Sequence, residues 1–259
     1  MKCANPGVVA GPAALSALAA LALLAGAAPA RAAETTVGIS HGIDKLTGPR
    51  ADWHETALTL RHQLAPRSGF GLGATRIERF GIHETQFSAN ADLPLSERLT
   101  ASIDGTASGD HQILARHALG ATLQYEFAKG WLVHGGGRSS SYNDAHVNQS
   151  LLMLERYVGN YSFAGAWRAA RALGATAHSG ELRANYYYGE RSAVGLSLAA
   201  GKEAANIGGV TRLGSVRSAA LTGRHWLDQR WAVTYALGHT RQGDFYTRNG
   251  INLGLQATY

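Results

Sequence analysis

The last ten residues restrict the fold most. Ile251, Leu253, Leu255, Ala257 and Tyr259 alternate with Gly250, Asn252, Gly254, Gln256 and Thr258. Successive side chains of a strand point to opposite faces, so this segment has one apolar face ending in an aromatic ring and one small or polar face. The wet face of a soluble sheet normally carries Lys or Glu. Here it carries Gly and Thr, the contrast that lipid outside and water inside would produce.

The same code recurs upstream. Leu119, Ala121, Leu123, Tyr125 and Phe127 alternate with Ala118, Gly120, Thr122, Gln124 and Glu126. Trp231, Val233, Tyr235 and Leu237 alternate with Ala232, Thr234, Ala236 and Gly238, and Val194, Leu196 and Leu198 with Gly195, Ser197 and Ala199. Helical spacing fits these runs less well. Aromatics also bracket short turns: Phe127 and Trp131, Tyr157 and Tyr161, Trp226 and Trp231. Such pairs suit the girdles of a bilayer interface.

These patterns predict an all-β fold, a transmembrane antiparallel up-and-down β-barrel of about 14 strands. Twelve is the alternative, because residues 69–92 are poorly resolved by pattern. The stretches near 44–52, 107–116, 142–147, 172–180 and 202–213 are expected to be longer polar loops on one side of the membrane. Short turns are expected on the other side, with both termini.

The N-terminus reads as a signal peptide over residues 1–32, leaving a barrel domain over 33–259. Lys2 supplies the positive end, Ala13 to Ala28 an apolar run, and Ala30-Arg31-Ala32 the small-x-small pattern of a cleavage site between Ala32 and Ala33. The only cysteine, Cys3, leaves with this segment, which removes disulfide, thiol and thiolate-metal chemistry from the mature chain. Beyond it no apolar run of about 18 residues could span a bilayer as a helix. The chain has 24 basic and 18 acidic residues, and losing Lys2 and Arg31 narrows that excess. That mild excess argues weakly for anionic contacts, and the exported location argues against nucleic acid as a partner. The implied address is the outer membrane of a Gram-negative cell. The expected partners are outer-membrane lipid and, during biogenesis, the barrel-assembly machinery.

Ser141-Tyr142-Asn143-Asp144-Ala145-His146-Val147 and Tyr157-Val158-Gly159-Asn160-Tyr161 resemble the YaiO-like outer-membrane β-barrel family. There a Tyr-x-Asp-x-x-Val loop precedes a strand, a Gly-containing turn and a Tyr-rich strand. Arg79-Phe80-Gly81, Tyr187-Tyr188-Gly189 and the terminal strand fit as well. This chain departs in its terminal Tyr, where Phe is commoner, and in its Arg/Ala-rich 167–171 segment. The resemblance implies outer-membrane location, no established chemistry and no cofactor.

The residues themselves offer little chemistry. His178-Ser179-Gly180 is the pair to weigh for a membrane lipid or lipopolysaccharide hydrolase, since a His can take the proton of a nucleophilic Ser. It is expected in an exposed loop with no acidic residue nearby in sequence to orient the His. No His pair has His-x-His metal spacing, and Asp104 and Asp110 lack a recognisable carboxylate partner. Gly135-Gly136-Gly137 has no helix after it and reads as strand where neighbours come close.

The lumen remains. If Phe163 and Trp167 face lipid, Arg168 faces inward, and if Leu182, Ala184 and Tyr186 face lipid, so does Arg183. These arginines would bias a narrow pore toward anions, or pair with inward carboxylates such as Glu126 and fill it. The functional expectation is a non-enzymatic, structural or channel-type, porin-like barrel for a small solute or a surface polysaccharide, without cofactor or metal. Leu253, Leu255, Ala257 and Tyr259 are expected to be the signal read by the insertion machinery.

Overall fold

The computed structural model describes residues 33–207 and 210–259, with the side chains of 205–212 left aside. The signal peptide and Cys3 lie outside the described residues. The described residues form fourteen strands: β1 Glu34–Leu46, β2 Trp53–Ala65, β3 Ser68–Arg79, β4 Ile82–Pro94, β5 Leu99–Ser108, β6 His117–Ala128, β7 Trp131–Ser141, β8 His146–Val158, β9 Tyr161–Ala172, β10 Ala175–Tyr188, β11 Ser192–Ile207, β12 Val210–Trp226, β13 Trp231–Gln242 and β14 Tyr246–Thr258. Each pairs antiparallel with its chain neighbours, and β1 pairs with β14, so the sheet closes on itself. Closure satisfies every strand edge, which a sheet surrounded by lipid requires.

The fourteen-strand reading holds, and the ambiguous stretch 69–92 is a hairpin of β3 and β4. Its turn is Phe80-Gly81, with φ of 56° and 75°; Leu173-Gly174 repeats it with 51° and 77°. Positive φ at both central residues marks the tight hairpin turn whose twist matches the strands it joins.

Leu173-Gly174 overturns the expected loop at 172–180, because β10 already begins at Ala175. The stretch 202–213 is likewise largely strand, paired from Lys202↔Ser215 to Ile207↔Val210. The end away from the termini therefore has tight hairpins as well as longer loops. Of the glycine run in β7, Gly136 is the one that its neighbours require, whereas Gly135 has open space around it. A Cβ on Gly136 would sit 2.5 Å from the Ala121 carbonyl oxygen and 2.6 Å from Thr122 Oγ1.

The outward rows are apolar. Val37 and Ile39, Leu58, Leu72, Phe87, Leu123, Leu152 and Leu154, Phe163, Leu182, Leu196, Leu237 and Leu253 are exposed large hydrophobics on one face of the wall. In water this face would be a severe aggregation surface, and a bilayer is the medium that removes it. Near the terminal end Phe127, Trp131, Tyr161, Tyr186 and Trp231 lie on that face. Arg156 rests over the Trp131 ring at 4.9 Å, and Arg230 over Tyr259 at 4.1 Å. In the turn before Trp231, the amides of Arg230 and Trp231 both donate to Asp228 Oδ1 at 2.7 Å, which holds that carboxyl below its usual range.

Two of the bracketing aromatics do not join the girdle. Tyr157 pairs with Ser162 and Trp226 with Ala232, both on the inward row. The turn lengths place one partner of each pair outward and the other in the lumen, a matter of parity that proximity in sequence does not reveal.

Candidate functional site: the lumen and its far mouth

The inward rows are small and polar, as on β1 and β14, where Gly38, Ser40 and Gly42 stand beside Gln256, Gly254 and Asn252. Several charges on these rows form ion pairs. Arg61 binds Asp92 at 2.5 Å, and Asp92 also accepts from Ser102 at 2.6 Å. Arg138 pairs with Asp104, and His134 lies 3.2 Å from Glu155.

Arg168 and Arg183 come together on one acid. Arg183 donates from Nε and Nη2 to the two oxygens of Glu181 at 2.6 and 2.9 Å, and Arg168 donates to Oε2 at 2.6 Å. Glu181 is only 6% exposed. Glu126 is not their partner; it accepts from the Gly130 amide at 2.9 Å and closes its own turn. The carboxylate that matters is thus two residues from Arg183 on the same strand, where period 2 puts both on one face.

Three groups gather inside the mouth away from the termini. The first is an aromatic–cation stack on β14, β1, β2 and β3. Trp53 faces inward opposite Asp44 and is 6% exposed. The guanidiniums of Arg79 and Arg248 lie 5.0 and 5.4 Å from its ring, and Tyr246 meets it edge-on at 5.7 Å. Arg79 is 3.3 Å from Glu55, and Arg248 3.4 Å from Asp44. The Trp53 indole nitrogen is buried and unpartnered among the described residues.

The second is loop 109–116. The amides of Gln112, Ile113 and Leu114 donate to the Glu84 carboxylate at 2.5, 2.8 and 2.7 Å. Glu84 is on the inward row of β4, since it pairs with the inward Ile77, and both are 1% exposed. The loop is therefore tied down over the inner wall and does not project outward.

The third is the β11–β12 hairpin, which parts from β10 beyond Gly201 while staying paired to its own tip. Ala204 packs with the inward Val147 and Ala172, joined by Tyr142 and Leu173. Glu203 accepts from Gln242, which in turn accepts from the Tyr246 hydroxyl at 2.7 Å. The hairpin is thereby linked to the Trp53 stack. Sequence reasoning missed all three features, because each joins segments distant in the chain.

A second aromatic–cation group lies at the terminal mouth. Arg191 sits 4.6 Å over the inward Trp226 and pairs with Glu34. The Trp226 indole nitrogen and Arg224 Nε are buried and unpartnered among the described residues. Buried polar atoms in folded proteins normally find a partner.

The hydrolase candidate fails on geometry. His178 and Ser179 are in β10, not in a loop. His178 faces outward, stacked on Trp167 at 5.6 Å, while Ser179 faces the lumen opposite Arg168. The wall separates the two side chains. Among the described residues no cluster of three or more His, Cys, Asp or Glu could hold a metal ion.

Comparison with known proteins agrees with this architecture. The structure is similar to the outer membrane channel from Pseudomonas putida F1, with a TM-score of 0.57, 11% identity, and 90% of this chain and 97% of that one covered. It is similar to Salmonella typhi OmpF in complex with daunomycin, with a TM-score of 0.52, 10% identity, and coverage of 88% and 97%. No curated protein matches the sequence. The YaiO membrane beta barrel domain matches residues 34–206, about two thirds of the chain. The chain is an outer-membrane β-barrel and belongs to the YaiO family.

Proposed function

We propose that this barrel is a narrow channel for small polar solutes, entered from outside the cell through the far mouth. The supporting observation is the inner wall: small and polar rows carrying several ion pairs, meeting an arginine–aromatic group at the far mouth. Matched pairs keep a lumen hydrated without one dominant sign of field. That group offers guanidinium donors held by carboxylates, a chemistry suited to hydroxyl- or carboxylate-bearing solutes, including short lengths of surface polysaccharide.

The test is planar-bilayer recording with the purified mature chain. Discrete conductance steps are expected, together with permeation of small sugars into liposomes. A silent bilayer and impermeant liposomes containing correctly folded protein would refute the channel.

Assembly is a separate proposal. Tyr259 and Thr35 exchange both backbone hydrogen bonds, at 2.9 and 3.0 Å, across the seam of the barrel. Leu253 and Leu255 form an exposed apolar row leading to Tyr259, with Ala257 buried between Val37 and Trp231. Deleting Tyr259 should lower the amount of membrane-inserted, heat-modifiable protein several-fold while export to the periplasm continues. Normal insertion would remove Tyr259 from the signal.

A further inference from the structure

The outer wall is not apolar from end to end. Toward the far mouth its outward rows change to cations. Lys45 follows Val37 and Ile39 on β1, Arg76 follows Leu72 on β3, and Arg171 follows Trp167 on β9. Lys202 follows Leu198 on β11, Arg217 precedes Leu221 on β12, and Arg241 follows Leu237 on β13. All six are exposed. His83, His117 and His146 occupy the same outward rim between Arg76 and Arg171. The acid on these outward rows is Glu78, which lies 3.8 Å from His83.

Two observations show that this belt is not balanced within the chain. Among the described residues no carboxylate lies within ion-pair distance of Lys45, Arg76, Arg171, Lys202 or Arg217. Arg241 reaches only the fully exposed Asp244, at 3.8 Å. In addition, Arg217 and Arg241 are direct cross-strand partners on the outward face. Like charges directly opposite each other destabilise a sheet unless an anion lies between them. Most inner-wall arginines differ: Arg61, Arg79, Arg138, Arg168, Arg183 and Arg248 are matched to carboxylates, while Arg224 has no carboxylate partner among the described residues.

From this placement we infer that the belt binds the phosphate groups of a phosphorylated glycolipid in the outer leaflet. A partner must present anions at the upper margin of the apolar band while its own hydrocarbon lies along that band. An anionic lipid does this, whereas a nucleic acid or an acidic protein has no means of covering the apolar rows directly below. Guanidinium matches phosphate in a two-pronged geometry, and Arg217 with Arg241 forms a ready pair of such donors. The inference rests on the outer-membrane location and not on the channel reading, so a silent bilayer would leave it standing.

The experiment uses the folded mature chain in mixed micelles, with diphosphorylated lipid A or the same lipid after dephosphorylation as probe. Retained lipid is counted by native mass spectrometry. Wild-type protein should retain the diphosphorylated form at least ten-fold better, and the preference should shrink as salt is raised. The combined variant Arg171→Gln, Arg217→Gln, Arg241→Gln should lose about ten-fold, while Arg168→Gln in the lumen should lose nothing. Equal retention of the two lipids by the wild type overturns the inference, as does a folded triple variant that binds normally. Full displacement by inorganic phosphate at millimolar concentration would also overturn it, by showing a free-anion site. If the triple variant does not fold, the wild-type preference and its salt dependence decide the matter alone.

Discussion

Glu181→Gln is expected to be the most damaging single substitution in the lumen, lowering stability by about 2–4 kcal/mol. The carboxylate is almost fully buried and accepts three short hydrogen bonds from two guanidiniums. Removing its charge leaves Arg168 and Arg183 facing each other with no counter-charge, and breaking one partner of a buried ionic group costs more than the group contributes intact. The figure is set below the usual upper range because the Arg168 side chain is 24% exposed and retains some solvent. Arg168→Gln should cost much less, since it gives up one bond and Arg183 still neutralises Glu181 through two. The midpoint of urea unfolding in detergent measures the ranking. A Glu181→Gln midpoint no lower than that of Arg168→Gln would show that the triad is not the unit described. In a bilayer the same Glu181→Gln variant should shift the reversal potential toward anion selectivity, because two cations now face the lumen unopposed.

Glu84→Gln is expected to release loop 109–116 from the inner wall. Three consecutive backbone amides converge on one carboxylate, and hydrogen bonds to a charged group are worth about 1.5–3 kcal/mol each before non-additivity is allowed for. Glutamine offers a single carbonyl oxygen, and its amide nitrogen would meet the remaining donors with the wrong sign. Exchange at the amides of Gln112, Ile113 and Leu114 should accelerate by roughly 10–100-fold, the equivalent of losing one such bond. Single-channel conductance should rise in parallel as the loop leaves the lumen. Unchanged exchange would mean that the loop is held by other contacts. Faster exchange with unchanged conductance would place the narrowest point at the Trp53 stack instead.

Much of this architecture was legible because alternation is a local signal. The β14 row from Ile251 to Tyr259 needs no knowledge of any other strand, and repetition of its code through β6, β11 and β13 implied a closed wall. Residue pairs whose meaning depends on parity were read less well. Tyr157 and Trp226 stand one turn away from true girdle residues, yet an odd or even count sends them into the lumen. Leu173-Gly174 carries no Asn or Asp to announce its tight turn, so the sequence there reads as a loop.

The site was the least legible part. Glu84 is separated from the amides it holds by 28 to 30 residues, and Trp53 from Tyr246 by most of the chain. Partner choice among lumen charges was also decided by register. The inward arginines were identifiable from their strands, but their acid is Glu181, not the distant Glu126.

The seam between β1 and β14 has a kinetic consequence. Thr36 pairs with Thr258 across almost the whole described chain, whereas every other ladder joins strands that follow each other directly. By polymer statistics, closing a loop of about 220 residues costs roughly 2–3 kcal/mol more entropy than closing a single hairpin. The thirteen local ladders can therefore zip as successive hairpins, and the seam is left for last. Until it forms, the chain is a curved ribbon with two naked edges, each able to template pairing with a second molecule. A catalyst that holds the first and last strands together would act on this one step and shorten the time for which those edges are exposed.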